Sequence, residues 1–463
     1  MLMKYSLVLP LKWLGLLLPV LALISWHKPS TGPGDELQVP VTYYKLPNGL
    51  KVVLSPDKTA PTIAVGVYYN IGFRIEPKNR TGFAHLFEHM MFQGSENLGK
   101  MEFIQLVQKN GGILNGSTRF DFTNYFEVMP SHKLETALWA EADRMKGLKI
   151  TQDNLTNQQG VVKNEVKVNV LNQPYGGFPW LDMPQYANKN WYNSHNFYGD
   201  LADLDSAKLE DVDAFFKTFY APNNAVLVVS GDFEIPAARK WIDQYFAKIP
   251  SSKLPPKPDL TEPPQEKEQR FTKEDALAKK PAIAISYKMP ERNTPEYYAM
   301  GLIDQMLGQG QDSKLYEALV QKKGYASSVN SGINIGLGSM FDYNGPMLWT
   351  SSLIHDASVP ADSIISQYDL AVADIANNTT QEDLQLAIVK MRSGLYDAMG
   401  GMFGIGKVNL LASFALFDDD PSKINNLETS FKKVTPELIR QVAQKYLAPN
   451  NRTILIIEPK ASK

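Results

Sequence analysis

The chain has no cysteine in 463 residues. That excludes disulfides, thiolate metal sites and a lipid-modified N-terminal cysteine, and it leaves the redox compartment undecided. Neither sign of charge dominates: 47 Lys and Arg stand against 49 Asp and Glu, a formal net charge of −2, so no basic field points to nucleic acid. Long apolar runs are missing too. Trp13 to Trp26 is uncharged, but it is short for a spanning helix and is interrupted by Pro19. With Lys4 and Lys12 ahead of it, it reads as the core of a signal peptide, with Val20-Leu21-Ala22 or Ser25 near the cleavage point. An uncleaved inner-membrane anchor is the alternative. His27 to Leu37 is polar and rich in Pro and Gly, and separates this segment from the folded body. The expected location is extracytoplasmic, in a periplasm.

Histidine is also scarce, with six in the chain, and two of the six lie in His85-Leu86-Phe87-Glu88-His89. A spacing of four is about one helical turn, so both imidazoles lie on one side of a helix and can reach one metal ion. Glu88 is on the same side, close enough to act on a water at that metal. Phe83, Leu86, Phe87, Met90 and Met91 recur at helical spacing and form a stripe roughly opposite. No Lys or Arg occurs between Thr81 and Ser95, which is unlike a solvent face. The order H-x-x-E-H is the inverted zincin motif.

The chain repeats itself. Ala221-Pro222-Asn223-Asn224 and Ala448-Pro449-Asn450-Asn451 start 227 residues apart, each after an amphipathic helical pattern and before a strand-like run. Pro61 to Val65 is echoed by Pro281 to Ile285 at an offset of 220. The two echoes predict a duplicated domain. Pro250 to Gln269 holds six prolines and reads as an extended linker. In the first half, Val65–Tyr69 and Phe120–Phe126 are expected as strands, and Met101–Gln108 and Leu134–Met145 as helices. The expected fold class is α+β, with two homologous domains, each a sheet covered by helices. The expected boundaries are 1–36 for the signal peptide or anchor plus linker, 37–250 for the metal-binding domain, 251–270 for the Pro-rich linker, and 271–463 for a homologous domain without metal ligands. Where the echo would place a second motif, the chain reads Ile303-Asp304-Gln305-Met306-Leu307.

Two histidines leave a catalytic zinc site short of its usual three protein ligands. Glu165, 76 residues after His89, is one carboxylate among many on composition alone. The run Gly82 to Gly94 resembles the signature of the pitrilysin family of zinc peptidases. Asn48-Gly49-Leu50, Gly111-Gly112 with Asn115, the segment from Glu165 through Asn172-Gln173-Pro174-Tyr175-Gly176, and both APNN turns extend the likeness across the chain. The resemblance implies mostly antiparallel sheets that form half of a clam-shell chamber. It implies zinc (Zn2+) on His85, His89 and Glu165, with Glu88 as general base. It places Asn115 and Gly116 on an edge strand that binds an extended peptide, and Gln158, seven residues before Glu165, where relatives often carry a second glutamate beside the ligands. His195 reads as structural; His27, His132 and His355 read as surface residues.

Self-sufficient members carry an Arg and a Tyr in the second domain that grip the substrate carbonyl. Aligned here, Val320 and Ser327 stand at those positions, and neither can stabilise a developing oxyanion as Arg and Tyr would. The resemblance therefore implies the zinc subunit of a heterodimer whose homologous partner lacks H-x-x-E-H and supplies the pair, with a homodimer as runner-up. The expected activity is endopeptidase; the alternative is a non-catalytic scaffold or peptide-binding subunit.

Overall fold

A computed structural model describes residues 38–460, and Val39 onward forms one compact unit. The expected signal peptide or anchor, residues 1–36, lies outside the described residues. The first half contributes β1 (Thr42–Lys45), β2 (Lys51–Pro56), β3 (Thr62–Tyr69), β4 (Ile113–Thr118), β5 (Thr123–Pro130) and β6 (Ala225–Gly231). They form one sheet in the order β1-β2-β6-β3-β5-β4. The second half contributes β7 (Gln269–Asp275), β8 (Ala282–Lys288), β9 (Asn330–Ile333), β10 (Leu348–Ile354) and β11 (Arg452–Pro459), in the order β7-β11-β8-β10-β9. β2 runs parallel to β6 as β7 does to β11, and every other neighbouring pair is antiparallel. The fold is therefore α+β with two similarly wired halves.

The repeated APNN segment has a physical cause. Each begins a short 3-10 turn, Pro222–Asn224 or Pro449–Asn451, between a helix and the central strand β6 or β11. The last Asn of each run makes the same pair of bonds. Asn224 Nδ2 donates to Phe219 O at 2.9 Å and Asn70 O at 3.3 Å, while Asn451 Nδ2 donates to Tyr446 O at 2.7 Å and Lys288 O at 3.3 Å. The side chain satisfies a carbonyl at the end of the preceding helix and ties it to the end of the neighbouring strand.

Both faces of β3 and β6 are buried, which suits their Val-rich sequences. Helices of the first half cover one face. The helix Ile405–Asp418, apolar around most of its circumference, comes from the second half and lies across the other. Gly66 of β3 permits that approach, since a Cβ there would sit 2.8 Å from Val408 Cγ1. The exchange is mutual. The helix Asp182–Ala187 of the first half packs on β8 and β11, where Met183 and Ala187 meet Ala282, Ala284, Leu455 and Ile457. A buried pair reinforces it. Arg74 Nε lies 2.8 Å from Asp121 Oδ1, Arg74 Nη1 donates to Pro346 O at 2.7 Å, and Asp121 Oδ2 accepts from Asn344 N at 2.7 Å.

Two expectations need correction. Phe120 to Phe122 is not strand: β5 begins at Thr123, and the preceding residues turn the hairpin through Arg119 N to Phe122 O at 2.8 Å. The carbonyls of Arg119 and Phe120 are taken by Phe73 N and Arg74 N instead of a strand partner. His355 is not at the surface. It continues the line of β10 with its N–H on Pro281 O at 3.0 Å, is 3% exposed, and burial pushes its pKa down. The Pro-rich segment between the sheets lacks regular structure up to β7, yet it is fastened to the first half. Glu262 accepts from Lys189 N at 2.9 Å, Asn190 N at 3.1 Å and Asn193 Nδ2 at 2.7 Å.

Candidate metal centre

H-x-x-E-H lies on the helix Phe83–Met90, whose apolar stripe Phe83, Leu86, Phe87, Met90 is buried in the first core. Its N-cap is Gly82, at φ 81°, which has no side chain to cap the first turn. Glu76 does so from a distance: Oε2 accepts from Gly82 N at 2.9 Å and Oε1 from Ala84 N at 2.6 Å. Glu76 is fully buried, and burial pushes its carboxyl up against the opposing pull of His195 and those backbone donors. His195 is structural, as expected: buried, stacked on Trp191 with centroids 4.3 Å apart, its Nδ1 3.0 Å from Trp191 O. His132 is exposed.

Glu165 comes from the helix Gln152–Val166, which starts with the Thr151 side chain accepting from Asn154 N and packs against the motif helix. Among the described residues, His85, His89 and Glu165 are the one group of three His, Asp or Glu donors close enough for a shared ion. The two Nε2 atoms are 3.3 Å apart; Glu165 Oε1 is 3.6 Å from His85 Nε2, and Oε2 is 3.3 Å from His89 Nε2. A tetrahedral ion with bonds of about 2.0–2.1 Å sets its donors about 3.3 Å apart. The donor set and spacing therefore fit zinc. Hydrogen bonding by His85, then by His89, holds the Glu165 carboxyl well below the usual carboxylate range.

Glu88 is half-buried, and its Oε2 accepts from Thr118 Oγ1 at 2.7 Å. Thr118 ends β4, which has no strand on its outer side among the described residues. Gly116 on β4 lies beside the motif helix, since a Cβ there would sit 3.3 Å from Glu88 Cγ. Asn115 is exposed on the same strand, and its Oδ1 accepts from Gly116 N at 2.9 Å. Gln158 is buried two turns before Glu165, but its amide donates to Asn157 Oδ1 at 2.9 Å rather than to a ligand. Sequence reasoning missed Glu76, Thr118 and Tyr198, whose ring meets His85 with centroids 5.3 Å apart. The one signal for Glu76 was a helix that starts on glycine with no capping side chain.

In the second half, the helix Pro295–Leu307 holds Asp304 where the motif would recur. Asp304 is buried and accepts from Trp349 Nε1 at 2.7 Å. Burial pushes its carboxyl up to about 6.

Comparison with known proteins agrees with this division. The family description "Insulinase (Peptidase family M16)" matches residues 51–191, which hold all four motif residues, and "Peptidase M16 inactive domain" matches 206–354. The zinc protease PqqE of Helicobacter pylori is 30% identical over 291 residues, covering 62% of this chain. The chain spans just under two thirds, 65%, of that relative. A probable mitochondrial-processing peptidase subunit beta of Arabidopsis thaliana is 24% identical over 209 residues, covering 44% of this chain and 38% of its own. Among solved structures, a protease from Helicobacter pylori superposes with a TM-score of 0.83 at 24% identity, over 91% of this chain and all of that one. A peptidase M16 inactive domain from Pseudomonas fluorescens gives 0.79 at 18% identity, over 92% and 99%. With both halves matched in order and the fold shared, the chain belongs to the M16 insulinase family, the family of pitrilysin, alongside its short two-domain bacterial members.

Proposed function

We propose that this chain is a zinc-dependent endopeptidase acting on peptides or unfolded segments. The observation that carries the reading is the convergence of His85, His89 and Glu165 at metal-ligand spacing, with Glu88 beside them. Those three residues would hold the ion. When bound, zinc supplies a Lewis acid that polarises the scissile carbonyl and makes water nucleophilic near neutral pH. Thr118 fixes Glu88 through Oε2, so Oε1 is the oxygen open to the attacking water. Glu88 takes a proton from that water and delivers it to the leaving amine nitrogen, ending as a carboxylate again. The outer side of β4, with Asn115 and Gly116, offers unpaired main-chain groups to an extended substrate, which favours unfolded segments over particular side chains.

The second half supports a division of labour. Val320, in the helical segment Glu317–Lys322, and exposed Ser327 stand where self-sufficient members carry Arg and Tyr. The reading is therefore a zinc subunit whose homologous partner supplies that pair, as the subunit naming of the processing-peptidase relatives suggests. The uncharged run Trp13 to Trp26 supports a site of action outside the cytoplasm. Among the described residues, no single helix is long and apolar enough to cross a membrane.

The test is Glu88→Gln. The variant should bind zinc as the parent does and lose cleavage of an unfolded peptide by about a thousandfold or more. Cleavage at the parental rate would remove Glu88 from the mechanism.

A further inference from the structure

A histidine that binds a metal usually donates its second ring N–H to a carboxylate, carbonyl or water, which fixes the ring. His85 does not. It is 5% exposed, and its Nδ1 is buried with no hydrogen-bond partner among the described residues. Packing holds the ring instead: the His89 ring meets it at 5.0 Å, and the aromatic group outside the ligand set that packs on it is Tyr198. The two ring centroids are 5.3 Å apart with planes at 62°, an edge-to-face contact. Trp180 packs on Tyr198 at 5.3 Å and 69°.

The loop that carries Tyr198 is fastened to the start of the motif helix. Thr81 Oγ1 accepts from Asp200 N at 2.9 Å and donates to Asp203 Oδ2 at 2.6 Å. Gly82 and Gly199 meet back to back: a Cβ on Gly199 would sit 2.5 Å from Gly82 Cα, and one on Gly82 would sit 3.0 Å from Tyr198 O. Both have left-handed φ, 81° and 85°, so neither position accommodates a side chain without strain. The close approach sets the tyrosine ring against His85.

We propose that Tyr198 is the positioning residue of the metal centre: its ring sets the orientation of His85. This rests on the reading of His85, His89 and Glu165 as a zinc site. It assigns Tyr198 no contact with substrate.

The experiment measures zinc affinity of the full chain by competition with a chromophoric chelator, beside the melting temperature of the zinc-free protein. Tyr198→Ala should weaken zinc binding about 10- to 100-fold, and Tyr198→Phe, which keeps the ring, should recover most of that loss. At saturating zinc, Tyr198→Phe should cleave peptide with an unchanged KM. Parental zinc affinity in Tyr198→Ala overturns the proposal, as does a Tyr198→Phe variant as weak as Tyr198→Ala. Failure of the wild-type chain to bind zinc is a different result, and it overturns the peptidase reading together with this one.

Discussion

Thr118 Oγ1 donates a 2.7 Å hydrogen bond to Glu88 Oε2. One bond thus joins the edge strand to the proposed base, so the same strand would align a peptide and orient the group that moves its protons. Thr118→Val keeps the shape and removes the donor. A hydrogen bond to a charged group is worth roughly 1.5–3 kcal/mol, so kcat should fall about tenfold or more while zinc content stays at the parental level. Steady-state kinetics beside metal analysis checks this; an unchanged kcat would show that the bond does not act on the base.

Glu76 should matter for stability before it matters for chemistry. Glu76→Ala strips two acceptors from the first turn of the motif helix and should cost about 2–3 kcal/mol in urea unfolding. Zinc binding should weaken with it, because His85 lies just inside the turn that loosens. A variant as stable as the parent would mean that other groups satisfy Gly82 and Ala84.

Asp304 makes a prediction about pH. Its folded-state value, about 6, is raised from 3.8 by burial. A raised carboxyl contributes stability that is fully present below the unfolded value and is lost as pH rises through the folded value. Between about pH 4 and pH 6 the parent should therefore lose roughly 2–3 kcal/mol that Asp304→Asn does not. The asparagine oxygen can still accept from Trp349, so the variant should be the more stable protein at pH 7. Parallel stability curves across that window would contradict this account of the second half.

Division of labour predicts a weak isolated chain. Purified alone, it should cleave an unfolded peptide about a hundredfold more slowly than with a two-domain partner that carries the Arg and Tyr. Full activity of the isolated chain, unaffected by any partner, rules out an obligatory subunit; size-exclusion chromatography then separates a monomer from a homodimer.

Much of this was legible in the sequence because it is local. H-x-x-E-H repeats at helical spacing, and the APNN runs recur because each last Asn makes the same two bonds. What was not legible depends on partners far apart in the chain. Periodicity shows that Ile405–Asp418 is apolar, but not that it covers the other half's sheet. Glu76, Thr118 and Tyr198 reach the site through contacts across loops and strands, so no spacing rule marks them. Alternation misplaced Phe120 to Phe122 because a hairpin whose aromatics pack inward has the same pattern as a strand. His355 looked like a surface residue for lack of a neighbouring ligand, although strand continuation buries it.

The most direct test is zinc K-edge absorption on protein loaded with one equivalent of zinc. The account predicts two imidazole nitrogens and a carboxylate oxygen at about 2.0–2.2 Å, with the imidazole signal reduced in His85→Ala and His89→Ala and the carboxylate contribution removed in Glu165→Ala. A chain that takes up no zinc, or whose zinc spectrum is unchanged in those three variants, would contradict it.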